Sequence, residues 1–217
     1  MGQHNNFSGK VHAYEPVHGA GCAIASLIPK TEDVGDKEYD EDDVEEYHGD
    51  REVLETQIKE DEDEIDDSQE QNNEVDLDEG IVSTSRAPKP VGAYPHARKV
   101  GDLLYLSGVG PRQSRSNAIP GGPVKDSNGS PLDYNMKAQT IACIENIKTI
   151  LEDSGSSLDD VVDVTSFLIN MDRDFADYNS IYADYFGEIR PTRTTLEIKS
   201  LPTPIAVEMK VIAKIKN

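Results

Sequence analysis

Histidine is scarce in the second half of this 217-residue chain: from residue 86 onward there is only His96. A histidine-based triad would have to use that one residue, and no GxSxG elbow accompanies it. The same stretch has no CxxC or HExxH spacing and no glycine-rich phosphate loop, so neither a metal nor a Rossmann-type cofactor is expected. The two cysteines, Cys22 and Cys143, lie in different regions and make no disulfide framework. Long apolar runs are also lacking. The stretch GAGCAIASLI, residues 19–28, is too short to span a bilayer and has no basic flank. Gly2 stands where a myristoyl group would attach, but Asn6 occupies the position where that signal wants Ser or Thr. These absences lead to the expectation of a cytoplasmic protein with no membrane partner.

What the chain does have is acid, unevenly spread. Residues 1–85 carry 26 Asp and Glu against 5 Lys and Arg, whereas residues 86–217 carry 16 of each. The whole formal charge of −21 therefore belongs to the first segment. Runs such as KEDEDEIDDSQEQNNEVDLDEG hold too few apolar residues to offset the entropy of ordering, so residues 1–85 read as mostly disordered. Val53, Leu54, Ile58 and Ile65 have loosely helical spacing, enough for a transient helix. Such a tail binds basic partners or keeps a protein soluble, the second being the commoner case. Residues 86–217 read as one domain of ordinary size, and their neutral balance argues against nucleic acid as a partner.

Within that domain LLYLSG is a short buried-strand signal, followed by a loop rich in Gly, Pro, Ser and Asn. LDYNMKAQTIACIENIKTILEDSG carries a helical apolar stripe, with Asp133 the expected N-cap and Gly155 the C-cap. VVDVTSFLIN reads as a strand. DFADYNSIYADYF returns to helical spacing, with Phe175, Tyr178, Tyr182 and Tyr185 or Phe186 inward. RPTRTTLEIKSLPTPIAVEMKVIAKIK reads as two strands joined in a hairpin by a proline-punctuated turn. The order predicts an α+β (α/β sandwich) fold, two helices packed on one face of a mixed sheet. In the last strand Ile205, Val207, Met209, Val211, Ala213 and Ile215 should face the helices, with Ala206, Glu208, Lys210, Ile212 and Lys214 on the other side. That second face is polar with apolar interruptions and has no chain left to cover it, which suits a subunit interface as well as solvent.

Two arginines have candidate chemistry. Arg193 opens a strand between threonines, and Arg112 follows SGVGP; guanidinium groups recognise carboxylates through paired hydrogen bonds. The bland alternatives are surface arginines, a packing Tyr94, and a Glu208 paired with Lys210 or Lys214 on a solvated face.

Three segments together, PVGAYPHARKVGDLLYLSG, DVVDVTSFLINMDRDFADYNSIYADYF and RPTRTTLEIKSLPTPIAVEMKVIAK, resemble the RidA (YjgF) family of imine deaminases. The match runs from about Lys89 to the end and covers none of the acidic tail. The resemblance implies a chorismate-mutase-like fold and a homotrimer with a site in each cleft between subunits. It implies cofactor-free hydrolysis of enamines and imines to 2-oxo acids and ammonia. Arg193 would clamp the substrate carboxylate, Glu208 orient or activate water, and Tyr94 line the cleft, with Ser107, Gly108 and Asn179 beside the substrate. Relatives acting on small imino acids often carry cysteine where this chain has Thr195, and glutamine where it has Val109. GAYPHARKVGDLLYLSG followed by a downstream arginine looks more like the 2-aminomuconate deaminase branch, whose dicarboxylate substrate would use Arg112, backed by His96, as a second anchor. The other readings are a general 2-iminopropanoate/2-iminobutanoate deaminase and a non-catalytic trimeric binding or chaperone-like protein.

Overall fold

The computed structural model describes residues 80–215, the backbone of residues 7–17 and 20–29, and Thr56. By contacts the chain divides into two units, residues 1–41 and 42–217. In the first, strands β1 (Phe7–Val17) and β2 (Ala20–Pro29) pair antiparallel from Phe7↔Pro29 to Val17↔Ala20. These two strands fall within the segment read as mostly disordered, ahead of its acidic runs, which begin only at Glu32. The helical spacing noted at Val53–Ile65 lies outside the described residues.

The second unit is built on one six-stranded sheet: β3 (Ile81–Val82), β4 (Ala97–Val100), β5 (Leu103–Leu106), β6 (Val161–Leu168), β7 (Thr192–Glu197) and β8 (Val207–Lys214). The strand order is β3-β4-β5-β8-β6-β7. β3 begins before residue 86, so the ordered domain starts a few residues earlier than composition suggests. Helices α1 (Met136–Asp153) and α2 (Met171–Phe186) complete the expected two-helix, mixed-sheet fold.

The caps follow side-chain reach. Asn135, not Asp133, caps α1 by accepting the Ala138 N–H. Asp133 instead meets Arg173 at 2.8 Å. At the far end Gly155 adopts φ 76°, and the Gly155→Glu152 and Ser156→Leu151 backbone bonds close the helix as a Schellman turn. α2 starts at Asn170, whose side chain accepts the Arg173 N–H, and buries Tyr178, Ile181, Tyr182 and Phe186. Phe175, expected inward, is exposed, and its neighbour Asp174 is buried instead.

The closing stretch is not a hairpin. β7 runs parallel to β6, with Val164↔Arg193 and Leu168↔Glu197 in register, because α2 is the crossover of a β6–α2–β7 unit. The proline-containing segment after β7 carries the chain past β6, and β8 inserts between β6 and β5, antiparallel to both. The alternation expected along β8 is observed: Val207, Met209, Val211 and Ala213 are buried towards the helices, and Glu208 and Ile212 are half-buried on the other side. That second face carries Val100, Tyr105 and Leu196, all exposed, and no described helix covers it.

Candidate active site

Strand parity separates the residues expected to act together. Arg193 pairs with Val164, a fully buried residue of the helix-facing side, so its side chain rises on the side of α2. Glu208 pairs with Phe167, which points to the uncovered side. With β6 between their strands and the sheet between their side chains, the two do not share a cleft within one chain.

The first group forms a corner where β7 meets α2. Arg193 Nη1 donates to Asn179 Oδ1 at 2.9 Å, joining two residues the sequence marked independently. The guanidinium lies over the Tyr182 ring, 4.6 Å from its centroid, and 5.7 Å from that of Tyr178. This aromatic shelf was legible only as core spacing: Tyr178, Tyr182 and Phe186 recur at i, i+4, and the Tyr178 hydroxyl donates to Ser166 Oγ at 2.7 Å. Burial pushes the Tyr182 phenol up to about 12, so it is a neutral donor at physiological pH. The Tyr182 hydroxyl is buried without a hydrogen bond, whereas the Thr195 hydroxyl lies within hydrogen-bonding reach of the Tyr178 phenol. An orphaned polar atom beside a cation calls for a polar group from outside the chain.

The second group surrounds a small cavity of about 40 Å³, room for a few waters. Tyr94, His96, Ser107, Gly108, Val109 and Arg112 line it. The Ser107 hydroxyl donates to Pro95 O at 2.7 Å, leaving its oxygen able to accept. Arg112 is half-buried and already committed: Nη1 donates to Asn117 Oδ1 at 2.7 Å and Nη2 to Lys89 O at 2.9 Å. Asn117 holds φ 57°, a strained backbone for any residue with a Cβ and one that asparagine tolerates well. Gly108 makes the approach of Glu208 possible, since a Cβ there would stand 2.4 Å from Glu208 Oε1.

Glu208 has no hydrogen bond or ion pair among the described residues, so the surface pairing with Lys210 or Lys214 is not made. Burial pushes its carboxyl above the ordinary range, towards the neutral pH at which a base exchanges protons readily. His96, expected behind Arg112 as a substrate ligand, is occupied by the backbone instead. Its Nδ1 accepts the Thr84 N–H at 3.2 Å, which puts the ring proton on Nε2, 3.1 Å from Pro88 O. Burial of the ring holds its pKa below 6.5. Among the described residues no cluster of His, Cys, Asp and Glu could hold a metal, and no helix is long and apolar enough to cross a membrane.

A family model described as endoribonuclease L-PSP matches residues 84–215. A RutC family protein of Pyrococcus abyssi is 40% identical over 133 residues, 61% of this chain and 94% of its own length. A protein of Dermatophagoides farinae named 2-iminobutanoate/2-iminopropanoate deaminase is 34% identical over 136 residues, 63% of this chain and 96% of its own. The crystal structure of Escherichia coli TdcF with bound serine superposes with a TM-score of 0.54 at 27% identity, covering 63% of this chain and 98% of that one.

Proposed function

Because the chain belongs to the endoribonuclease L-PSP family, the RidA family of the sequence motifs, we propose that it is a cofactor-independent deaminase of small 2-imino carboxylates, acting as a homotrimer. The observation that carries this reading is the split of its charged groups between two faces: an exposed guanidinium held by Asn179 at the β7–α2 corner, and a half-buried carboxylate without a hydrogen bond beside Gly108. Arg193 and Glu208 lie on opposite sides of the sheet, so on this reading the corner of one subunit completes the pocket of the next. The uncovered sheet face with Val100, Tyr105 and Leu196 supplies apolar area for that association.

In such a cleft Arg193 grips the substrate carboxylate through its guanidinium fork, with Asn179 and the Tyr182 ring fixing its direction. The protonated C=N carbon is electrophilic already, so the protein has mainly to orient it and deliver water. Glu208 takes a proton from that water as it attacks, and returns it to the amino group of the tetrahedral adduct. As the C–N bond breaks, the adduct's hydroxyl gives its proton to Glu208, ammonia leaves and the 2-oxo acid remains. Tyr94 and the Ser107 oxygen line the water side, and Gly108 lets the carboxylate reach it.

The relative named for a substrate acts on small monocarboxylate imines, and that favours 2-iminobutanoate and 2-iminopropanoate over 2-aminomuconate. Arg112, lining the cavity with two of its donors spent, keeps the dicarboxylate as a second reading.

The test is complementation. Arg193→Ala and Glu208→Gln chains, each inactive alone, are unfolded, mixed and refolded together, and ammonia release from freshly generated 2-iminobutanoate is measured. Mixed oligomers regain a substantial part of the activity, since some clefts receive an intact half from each chain. A mixture as inactive as its components would sink the shared site.

A further inference from the structure

His96 is bound to backbone through both ring nitrogens, and both partners belong to the same segment. Thr84 N–H and Pro88 O lie on the strap that leaves β3 and passes over the start of β4. That strap is also a wall of the pocket: Pro88 and Pro90 line it, and Lys89 O receives Arg112 Nη2. The ring is thus the side-chain clasp between β4 and the segment that orients Arg112. We propose that His96 is a positioning residue that acts as an acid-opened latch, pinning the strap at both Thr84 and Pro88 when neutral and letting go of its Thr84 end when protonated. For turnover, this rests on the pocket being part of the substrate site.

The chemistry is one of donors and acceptors. A neutral ring with its proton on Nε2 offers one acceptor to Thr84 N–H and one donor to Pro88 O. Protonation turns Nδ1 into a donor facing another donor 3.2 Å away, and the Thr84 bond is lost. The Pro88 bond survives and strengthens, so the end of the strap that loosens is the one at Thr84. Asp153, at the end of α1, is the acid whose field reaches the ring, and it favours the proton; burial opposes it more strongly. Asp153 is itself held by Thr84 Oγ1 and Arg86, so the strap's first half keeps a tether when the latch opens. The other ionisable groups on the elements packed here are Lys89 on the strap, Glu152 beside Asp153, Tyr94 on the preceding turn and Arg112 across the pocket. Because the folded ring binds its proton less readily than the unfolded chain does, the latch is closed at neutral pH and opens below 6.5.

Two readouts test this on the full chain. Thr84 amide exchange is compared with that of Lys99, whose N–H bonds to Gly80 O on the neighbouring strand pair and has no ionisable acceptor. As pH is lowered from 7.5 to the acid limit of the folded state, Thr84 loses protection relative to Lys99, by about tenfold once the ring is protonated, the scale of one lost hydrogen bond. Over the same acid range the KM of the wild-type chain rises; in His96→Gln, whose amide keeps a donor and an acceptor but cannot titrate, both the extra loss of protection and the rise in KM disappear, whatever that variant's activity at neutral pH. Thr84 protection that tracks Lys99 across the whole range, or an identical acid loss in His96→Gln, would overturn the latch. The exchange readout needs no substrate. Absence of imine hydrolysis therefore removes the proposed function and leaves the latch standing.

Discussion

The β7–α2 corner and the close approach of Glu208 to Gly108, at the edge of the pocket, place opposite charges in opposite settings. Arg193 is exposed, on an edge strand, and its guanidinium is steadied by a side-chain amide and an aromatic ring. Glu208 is half-buried on the strand with neighbours on both sides, and nothing described neutralises it. A cation that needs no desolvation can wait at a rim for an anionic ligand. A carboxylate kept partly dry is poised to trade protons. With the proposed function, binding and proton transfer would fall to different faces of one sheet, and substitutions should affect them differently.

Glu208→Gln is expected to break the pocket side most completely, lowering kcat by roughly 10²–10⁴, the usual worth of a positioned general base. The same change should raise stability. Since the folded carboxyl binds its proton more tightly than the unfolded one, the wild type loses stability as pH rises above 4.5, and above the folded pKa the penalty is complete. Melting curves from pH 4.5 to 8 should show the variant's advantage growing with pH; an advantage independent of pH would mean that burial of charge is not its source.

Arg193→Ala should cost on the order of 2–5 kcal/mol in transition-state binding, read in kcat/KM, with little change in Tm because the side chain is exposed. Arg193→Lys should recover only a small part, since an ammonium lacks the fork. Equal activity in the lysine variant would reduce Arg193 to a point charge. Gly108→Ala tests how closely the pocket is built. Its Cβ would displace the Glu208 carboxylate, so activity should fall at a stability cost of about 1–3 kcal/mol, and a crystal structure should show the carboxylate moved. The smallest effect belongs to Arg112→Ala: a minor loss with 2-iminobutanoate, and a larger one with a dicarboxylate only if Arg112 is a second anchor. Equal losses on both would reject that role.

Local signals were read well from the sequence, and non-local ones poorly. The apolar stripes of α1 and α2 and the alternation of β8 follow from periods of 3.6 and 2, which depend on nothing beyond the segment itself. Asp133 and Asn135 compete for the same cap, and the choice was decided by Arg173, forty residues on, which takes Asp133. The proline-punctuated stretch after β7 has every mark of a hairpin, but which strand pairs with which is decided by the α2 crossover. The same crossover sets the faces of the site: it puts Arg193 on the helix side of the sheet and Glu208 on the other, with β6 between their strands, an arrangement no local pattern encodes. His96 shows the reverse case. Its scarcity drew attention to it as a ligand, while its backbone partners, Thr84 and Pro88, leave no signature in the sequence.

The place of β8 has a consequence for how the molecule comes into being. It is the last described strand in the chain and the one that joins the two halves of the sheet, through Leu104↔Ala213 on one side and Val164↔Val211 on the other. Until it is made, β3–β5 and β6–β7 are two separate ribbons, each with an open apolar edge. Folding must therefore wait for the most distant contacts in the domain, a slow order of events with exposed edges in the interval. An unusually acidic segment synthesised ahead of those edges would keep growing chains apart by charge repulsion during that wait.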